Sequence, residues 1–167
     1  MGEPRTSRRG RGAQATGAAP PPDLLAAPGY GARRLYQAYL AAWNRHVDPV
    51  LTGPQFAVLS AVRAYPGSDQ SSLAGAVALD TSTMADLCRR LEQRGLIQRT
   101  ESPRDARRKL LSLTEEGAAV LNQVNRRARR LDKALLDGED LPEARDTAAM
   151  LNALAARWEE VAAFDKL

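Results

Sequence analysis

Residues 80–114 carry the sequence DTSTMADLCRRLEQRGLIQRTESPRDARRKLLSLT, which decides the fold. Apolar side chains recur at three- and four-residue spacing in its first half, and this spacing predicts a helix over residues 81–94. Gly95 follows at the position where a helix end favours a left-handed residue. The segments 96–101 and 109–113 then alternate in polarity on either side of a polar loop, which predicts a β-hairpin.

A shorter helix is predicted immediately before this one. Residues 69–77 are mostly small, and a break at 78–80 separates them from the helix that begins at Thr81. Two short helices form a helix-turn-helix when small residues in the first allow the second to pack closely. With the hairpin behind them, they predict a winged helix-turn-helix.

The second helix of this pair has two different faces. Its first turn carries the hydroxyl groups of Thr81, Ser82 and Thr83 together with free backbone N–H groups. Such groups suit contacts with phosphates or base edges when a helix end enters the major groove of DNA. Arg89 and Arg90 would add phosphate contacts, although an ordinary amphipathic surface helix has the same pattern. The apolar residues expected to pack on the core are Met84, Leu87, Cys88 and Leu91.

The loop of the predicted hairpin is rich in arginine, since it contains Arg104, Arg107 and Arg108. An arginine-tipped hairpin beside a helix-turn-helix can reach the neighbouring minor groove, where the negative potential attracts arginine. Asp105 is expected to pair with Arg107 and to hold it extended rather than to contact DNA. Taken alone, such a loop is more often a solvated turn. The order of helix, turn, helix and wing makes the pattern specific.

The composition narrows the possible classes of protein. The 167 residues carry a net charge of +4, and arginines concentrate in the centre of the sequence, which favours a polyanionic partner. No apolar run approaches the roughly 20 residues that a transmembrane helix needs, and no signal-peptide pattern is evident. The single cysteine, Cys88, excludes an internal disulfide and fits a cytoplasmic protein. The sequence contains a single histidine, His46, and shows no pattern of a catalytic triad, a metal cluster or a glycine-rich phosphate loop. We therefore expect neither an enzyme nor a cofactor.

The remaining sequence predicts a mainly α-helical domain in which the hairpin supplies the only strands. Residues 1–28 are rich in glycine, alanine, proline and arginine, which predicts a disordered basic arm. The domain then covers 29–167, with the winged helix-turn-helix at about 52–114. Helices at about 30–48 and 115–164 would form a dimerisation region, because they carry more large apolar side chains than a small domain can bury. Those side chains are Trp43, Leu151, Leu154, Trp158 and Phe164.

The wing resembles that of the multiple-antibiotic-resistance regulator (MarR) family. Residues 105–114, DARRKLLSLT, contain the Asp-x-Arg and Leu-Thr pairs of that family's pattern. Residues 80–83 and 90–96 resemble its recognition helix and the turn that follows. The resemblance extends from about Tyr30 to the C-terminus. It implies a homodimer of winged-helix subunits that binds a pseudo-palindromic operator in double-stranded DNA, usually as a repressor.

The resemblance also implies roles for individual residues. Ser82 and Thr83 would contact bases in the major groove. Arg90 would meet the DNA backbone, and Arg107 would enter the minor groove. Asp86 departs from the family, in which many members have a basic or neutral polar residue at this position. It would either accept a hydrogen bond from a cytosine amino group or orient a neighbouring arginine.

Members of this family often bind small aromatic or phenolic acids, and residues 32–44 resemble the subgroup that responds to aromatic catabolites. An arginine can grip a carboxylate with two hydrogen bonds while aromatic rings enclose the ligand. We therefore expect Arg33 to anchor an aromatic carboxylate or phenolic effector, unless the aromatic residues belong to the dimer core and the arginine is exposed. The residues expected to line the pocket are Tyr36, Tyr39, Trp43 and Phe56. Alternative regulators would sense redox state through Cys88 or would not respond to a ligand.

Overall fold

Seven helices and one hairpin make up the part of the chain that the computed structural model describes, which is residues 18–102, 105–137 and 144–164. For residues 105–107 and 144 only the backbone is described. The helices are α1 (Pro22–Leu25), α2 (Pro28–His46), α3 (Gly53–Ala64), α4 (Gln70–Ala76), α5 (Thr81–Gln93), α6 (Glu115–Leu136) and α7 (Ala144–Ala162), and the strands are β1 (Ile97–Ser102) and β2 (Asp105–Leu113). The chain falls into two compact units, Met1–Gln37 and Ala38–Leu167, and the boundary lies within α2.

The first unit contains α1 and the beginning of α2. Pro22 opens α1, where its fixed φ suits the first turn, and Asp23 follows at the positive end of the helix dipole. The prediction of a disordered arm is therefore wrong for Pro22–Leu25. These residues form a helix because Pro22 and Asp23 both favour a helix start. Residues 1–17 of the predicted arm lie outside the described part of the chain.

The second unit is built around the buried faces of α3, α5 and α6. Each of these helices begins at a polar N-cap whose side chain accepts a backbone hydrogen bond: Thr52, Asp80 and Thr114. The predicted start of α5 at Thr81 is confirmed, and Gly95 follows it with a φ of +69°. The largest fully buried side chains of the core include Leu59, Leu73, Met84, Leu91, Ile97, Leu111 and Leu121. Each contributes about 1.5–3 kcal/mol through burial.

The hairpin follows α5 as predicted, but its strands are longer. Ile97 pairs with Leu113 at one end, Ser102 pairs with Asp105 at the other, and the register shifts between Glu101 and Ser102. The sequence predicts a loop over residues 102–108, whereas the structure places Asp105 onwards in β2. That prediction is wrong because polar residues suit the solvated face of an antiparallel ribbon as well as a loop.

Trp43 belongs to the core of the second unit. Its side chain is 3% exposed, and its indole Nε1 donates a hydrogen bond to the Leu51 carbonyl at 2.7 Å. A buried tryptophan is stable where its N–H finds an acceptor, and here the acceptor lies within the same unit. The assignment of Trp43 to surplus dimer surface is therefore wrong.

Helix α7 is exposed along its described length, and no side chain of residues 145–164 is buried. The large exposed apolar residues of α7 are Met150, Leu151, Leu154 and Trp158. Phe164, two residues beyond the end of the helix, is exposed as well. None of the helices in the described ranges has the length and the apolar character to cross a membrane. The helix therefore presents an uncovered apolar stripe to the surroundings.

Candidate nucleic-acid interface and neighbouring cavity

Asp80 organises the first turn of α5. Its carboxylate accepts hydrogen bonds from the Thr83 backbone N–H at 2.8 Å, from the Ser82 hydroxyl at 2.5 Å and from the Thr83 hydroxyl at 2.6 Å. These bonds, that of the Ser82 hydroxyl first, hold the pKa of Asp80 well below its ordinary value. Because both hydroxyl protons point towards Asp80, the oxygens of Ser82 and Thr83 keep lone pairs that accept further hydrogen bonds.

The other residues of α5 that the sequence predicts to contact DNA also lie at its surface. Thr81, Arg89 and Arg90 are exposed. Arg89 forms an ion pair with Asp86 one turn away, and both side chains are more than half exposed. This pairing supports the second of the two roles considered for Asp86, which is to orient an arginine rather than to contact a base.

The base of the wing is joined to the helix-turn-helix through backbone hydrogen bonds. The Gly67 N–H donates to the Leu111 carbonyl, and the Leu111 N–H donates to the Ser68 carbonyl, each at 3.0 Å. Asp69 forms an isolated antiparallel bridge with Leu110 next to them. The segment before α4 therefore lies along β2 and is held to it by these backbone hydrogen bonds.

An ion pair between Asp69 and Arg108 reinforces this junction. Asp69 is buried and caps α4, where its carboxylate accepts from the backbone N–H groups of Ser71 and Ser72 at 3.1 Å. Arg108 donates to the same carboxylate from β2 and is the main reason why the pKa of Asp69 lies well below its ordinary value. The sequence predicts a DNA contact for Arg108, and the structure gives it a structural partner, so the DNA contact stays a prediction.

The predicted contacts of the wing tip fall on Arg104, Asp105 and Arg107. Arg104 lies outside the described residues, as do the side chains of Asp105 and Arg107. The backbone of Asp105 and Arg107 lies in β2. The minor-groove contact of Arg107 and its pairing with Asp105 therefore stay predictions.

A cavity of about 650 Å³ lies in the second unit beside Trp43. Three of the predicted ligand residues meet there: the Tyr39 and Trp43 rings have centroids 5.7 Å apart, and Trp43 and Phe56 have centroids 5.2 Å apart. Arg33 and Tyr36 belong to the first unit, and their predicted contacts with a ligand stay predictions. Further lining residues that the sequence analysis misses are Ser60, Tyr65, Val77 and Asp132.

Gly53 gives the cavity room for the ring of Tyr39. A Cβ atom at Gly53 would lie 3.1 Å from both Cε1 and Cζ of Tyr39, and closer still to the phenol oxygen. Side-chain atoms rarely approach a Cβ so closely, so a larger residue at Gly53 would displace the ring. The first residue of α3 therefore sets the position of one wall of the cavity.

Comparison with known proteins agrees with this arrangement. The MarR family model matches residues 51–109, which run from just before α3 into β2. The crystal structure of the PcaV transcriptional regulator from Streptomyces coelicolor, in complex with its natural ligand, has 39% sequence identity and a TM-score of 0.76, and the match covers 86% of this chain and 99% of that one. The chain belongs to the MarR family.

Two further relatives extend the comparison for this MarR-family chain. The transcriptional repressor CouR, bound to a 23-mer DNA duplex, has 30% identity and a TM-score of 0.71, with 84% of this chain and 98% of that chain covered. The transcriptional regulator HosA of Escherichia coli O111:H- is 40% identical over 89 residues. That match covers 53% of this chain and spans 65% of the length of HosA. The relatives are named as regulators, which agrees with the expectation that the chain is not an enzyme.

The surroundings of Cys88 and His46 bear on two other possible functions, which are redox sensing and metal binding. Cys88 is fully buried in α5, and burial raises its pKa to about 11, so the reactive thiolate is disfavoured. This burial gives the redox alternative no structural support. His46 lines a separate cavity of about 450 Å³ with Arg127 and Arg130. Among the described residues, no three His, Cys, Asp or Glu side chains are grouped so that they could hold a metal ion.

Proposed function

We propose that this MarR-family chain is a homodimeric DNA-binding transcriptional regulator of the cytoplasm, a repressor that a small aromatic acid or phenol releases from its operator. The observation that carries the proposal is the Asp80-capped first turn of α5 beside a hairpin that Asp69 and Arg108 join to the same domain. A winged helix-turn-helix needs both parts in one arrangement, since the helix enters the major groove while the wing meets the adjacent minor groove. The likeness to CouR on DNA supports this mode of binding.

The first turn of α5 would contact the bases. Ser82 and Thr83 direct their protons to Asp80, so they would act as acceptors for the amino groups that adenine and cytosine present in the major groove. Arg89 and Arg90 would contact phosphates, which fixes the helix in the groove without selecting a sequence. Arg107 would enter the minor groove from the wing.

The exposed apolar stripe of α7 supports dimerisation. Leu151, Leu154 and Trp158 are each more than 40% exposed, and a second copy that covered them would remove apolar area from water. A two-fold dimer places its recognition helices about 34 Å apart, one turn of DNA, and thus matches a pseudo-palindromic operator. The operator and the dimer would therefore share one symmetry axis.

The aromatic cavity would hold the effector, with Arg33 as the predicted anchor of its carboxylate. The likeness to PcaV in complex with a ligand supports an effector site in this chain. A ligand that favours one dimer geometry shifts the population towards it, and release follows when that geometry spaces the recognition helices wrongly for the operator. Ligand and DNA affinities are then coupled reciprocally.

Fluorescence anisotropy with a labelled duplex from upstream of the chain's own gene tests the DNA-binding part of this proposal. We expect the protein to prefer that duplex over random DNA by about 10³-fold or more at physiological salt. Equal affinity for both duplexes would overturn specific regulation. A second arm adds benzoates and hydroxybenzoates to the preformed complex. If none of them lowers the affinity for the operator, the effector part of the proposal fails and a ligand-independent regulator remains.

A further inference from the structure

The cavity beside His46 has a volume of about 450 Å³ and is lined by the end of α2 and the second half of α6. We call it the basic cavity, because its polar side chains are those of two arginines and one histidine. Its lining residues are His46, Arg127, Arg130, Leu131 and Ala134. In the described part of the chain, no acidic side chain lines this cavity, and no residue lines both this cavity and the aromatic one.

Arg127 is held in place at the wall of the basic cavity. Its Nη1 donates to the Val47 carbonyl at 3.1 Å and lies 3.7 Å from Oδ2 of Asp48. Asp48 is fixed in turn, since its Oδ1 accepts from the backbone N–H groups of Val50 and Leu51 at 2.8 and 2.6 Å. Both contacts of Arg127 use Nη1, so its other N–H groups have no acceptor among the described residues.

The positive charge of the basic cavity is not balanced by the described chain. Arg130 lies one turn after Arg127 on α6, and like charges at this spacing repel each other. Arg130 and His46 are exposed, and neither forms a hydrogen bond or an ion pair with a described residue. The stretch of α6 from 117 to 131 contains no acid at all. An anion from outside the chain would remove this repulsion, and the exposure of both side chains leaves them accessible to it.

We propose that the basic cavity binds an oxyanion, which is a phosphate or carboxylate group on a small molecule. Because arginine presents its N–H groups as a planar fork, it matches two oxygens of such a group at once. Arg127 and Arg130 would hold the oxyanion from α6, and the ring N–H of His46 would donate from α2. Leu131 and Ala134 add apolar surface for the carbon atoms of the ligand, and the volume is in the range of small-molecule sites.

This inference goes beyond the proposed function, since it requires neither an operator nor an aromatic effector. Isothermal titration calorimetry on the full chain, without DNA, tests it with inorganic phosphate as the probe. Succinate is titrated in a second arm, and chloride at the same ionic strength and pH is the reference for both. Tighter binding of phosphate would identify a phosphate ligand, and tighter binding of succinate would identify a carboxylate ligand.

Arg130→Gln separates the cavity from the general charge of the helix. It removes one cation from the lining, so the tighter of the two probes should bind about 5-fold more weakly, which is the upper end for exposed charge pairs. The matched control is Arg129→Gln, which makes the same change at an exposed arginine outside the lining and should leave the affinity unchanged. Circular dichroism and light scattering establish that each variant is folded and give its oligomeric state.

Three results would overturn the inference. Neither phosphate nor succinate binds more tightly than chloride, or Arg129→Gln weakens binding as much as Arg130→Gln does, so that the charge of α6 acts as a whole. In the third result, Arg130→Gln changes the oligomeric state without changing either affinity, and the cavity then receives an acidic side chain of a second copy. Each of these results leaves operator binding to its own measurement, so the proposed function stands or fails separately.

Discussion

Replacing Asp69 by asparagine should remove the ion pair that ties the wing to the helix-turn-helix while leaving α4 capped. One carboxylate oxygen, Oδ1, accepts from the backbone N–H groups of Ser71 and Ser72. The other, Oδ2, accepts from the Ser72 hydroxyl at 2.8 Å and from Arg108. In Asp69→Asn the amide oxygen can keep the cap, but the NH₂ group then faces the Arg108 guanidinium, and both groups are donors.

The size of the effect follows from the burial of the two partners. A hydrogen bond to a charged group contributes about 1.5–3 kcal/mol. Asp69 is 7% exposed, whereas the Arg108 side chain is 57% exposed and regains water when the bond breaks. The lower part of the range therefore applies, and Asp69→Asn should lower the free energy of unfolding by about 1.5–2 kcal/mol. Arg108→Met keeps the aliphatic stem, and the coupling free energy in a double-mutant cycle should be about 1 kcal/mol.

Urea unfolding at one fixed protein concentration measures these differences, because the stability of a dimer depends on concentration. The pair of Glu101 and Lys109 is a suitable control, since it joins β2 to its other neighbour, β1, with Oε1 and Nζ 2.6 Å apart but lies open to solvent. Its double-mutant cycle, with Glu101→Gln and Lys109→Met, should show no coupling beyond experimental error. A coupling between Asp69 and Arg108 no larger than that of the control would refute the reasoning from burial.

The same ion pair predicts a pH dependence. The hydrogen bond from Arg108 lowers the pKa of Asp69 below its ordinary value of 3.8. The folded state then binds fewer protons than the unfolded state, so this contribution is complete above the unfolded pKa and is lost as the pH falls towards the folded one. The stability advantage of the unaltered chain over Asp69→Asn should be constant from about pH 5 to 7 and should shrink below about pH 4.

Gly117→Ala should destabilise the fold by about 1–3 kcal/mol in urea unfolding, because a Cβ would lie 2.8 Å from the Leu96 carbonyl carbon. Gly75→Ala is its control, since nothing lies within 4 Å of a Cβ there, and an equal loss in both variants would contradict the steric argument. Arg107→Ala should weaken operator binding and lower the salt slope by about one; an unchanged affinity would exclude the wing contact. Leu154→Lys places a charge in the exposed stripe of α7 and should yield monomers in light scattering, whereas a persisting dimer would place the interface elsewhere.

The helix that carries the candidate DNA contacts can be predicted from sequence because its signals are local. Asp80 caps the helix three residues ahead of Thr83, and Gly95 ends it with a positive φ. Both signals lie within one turn of the helix end that they define. The predicted start of the helix is confirmed for this reason. Its buried face is confirmed as well, because the apolar spacing that predicts it is also local.

The ion pair at the wing could not be predicted in this way. Asp69 and Arg108 are 39 residues apart in sequence, and an aspartate that caps a helix looks the same whether or not an arginine reaches it. The cavity is an intermediate case. The sequence predicts that Tyr39, Trp43 and Phe56 share a site, but Asp132 comes from a distant helix and stands in a strongly basic stretch without a pattern of its own.

The packing of α6 on the start of the hairpin has a mechanical consequence. Gly117 lies against the Leu96 backbone, and the Thr114 hydroxyl donates to the Gly95 carbonyl at 2.6 Å. Because this joint packs the first turn of α6 closely against the end of α5, we expect the two helices to tilt together. The 22 residues of α6 span about 33 Å, and a tilt of about 5° displaces its far end by about 3 Å. A small shift at the far end of α6 would thus be passed on to α5, the helix proposed to contact the bases.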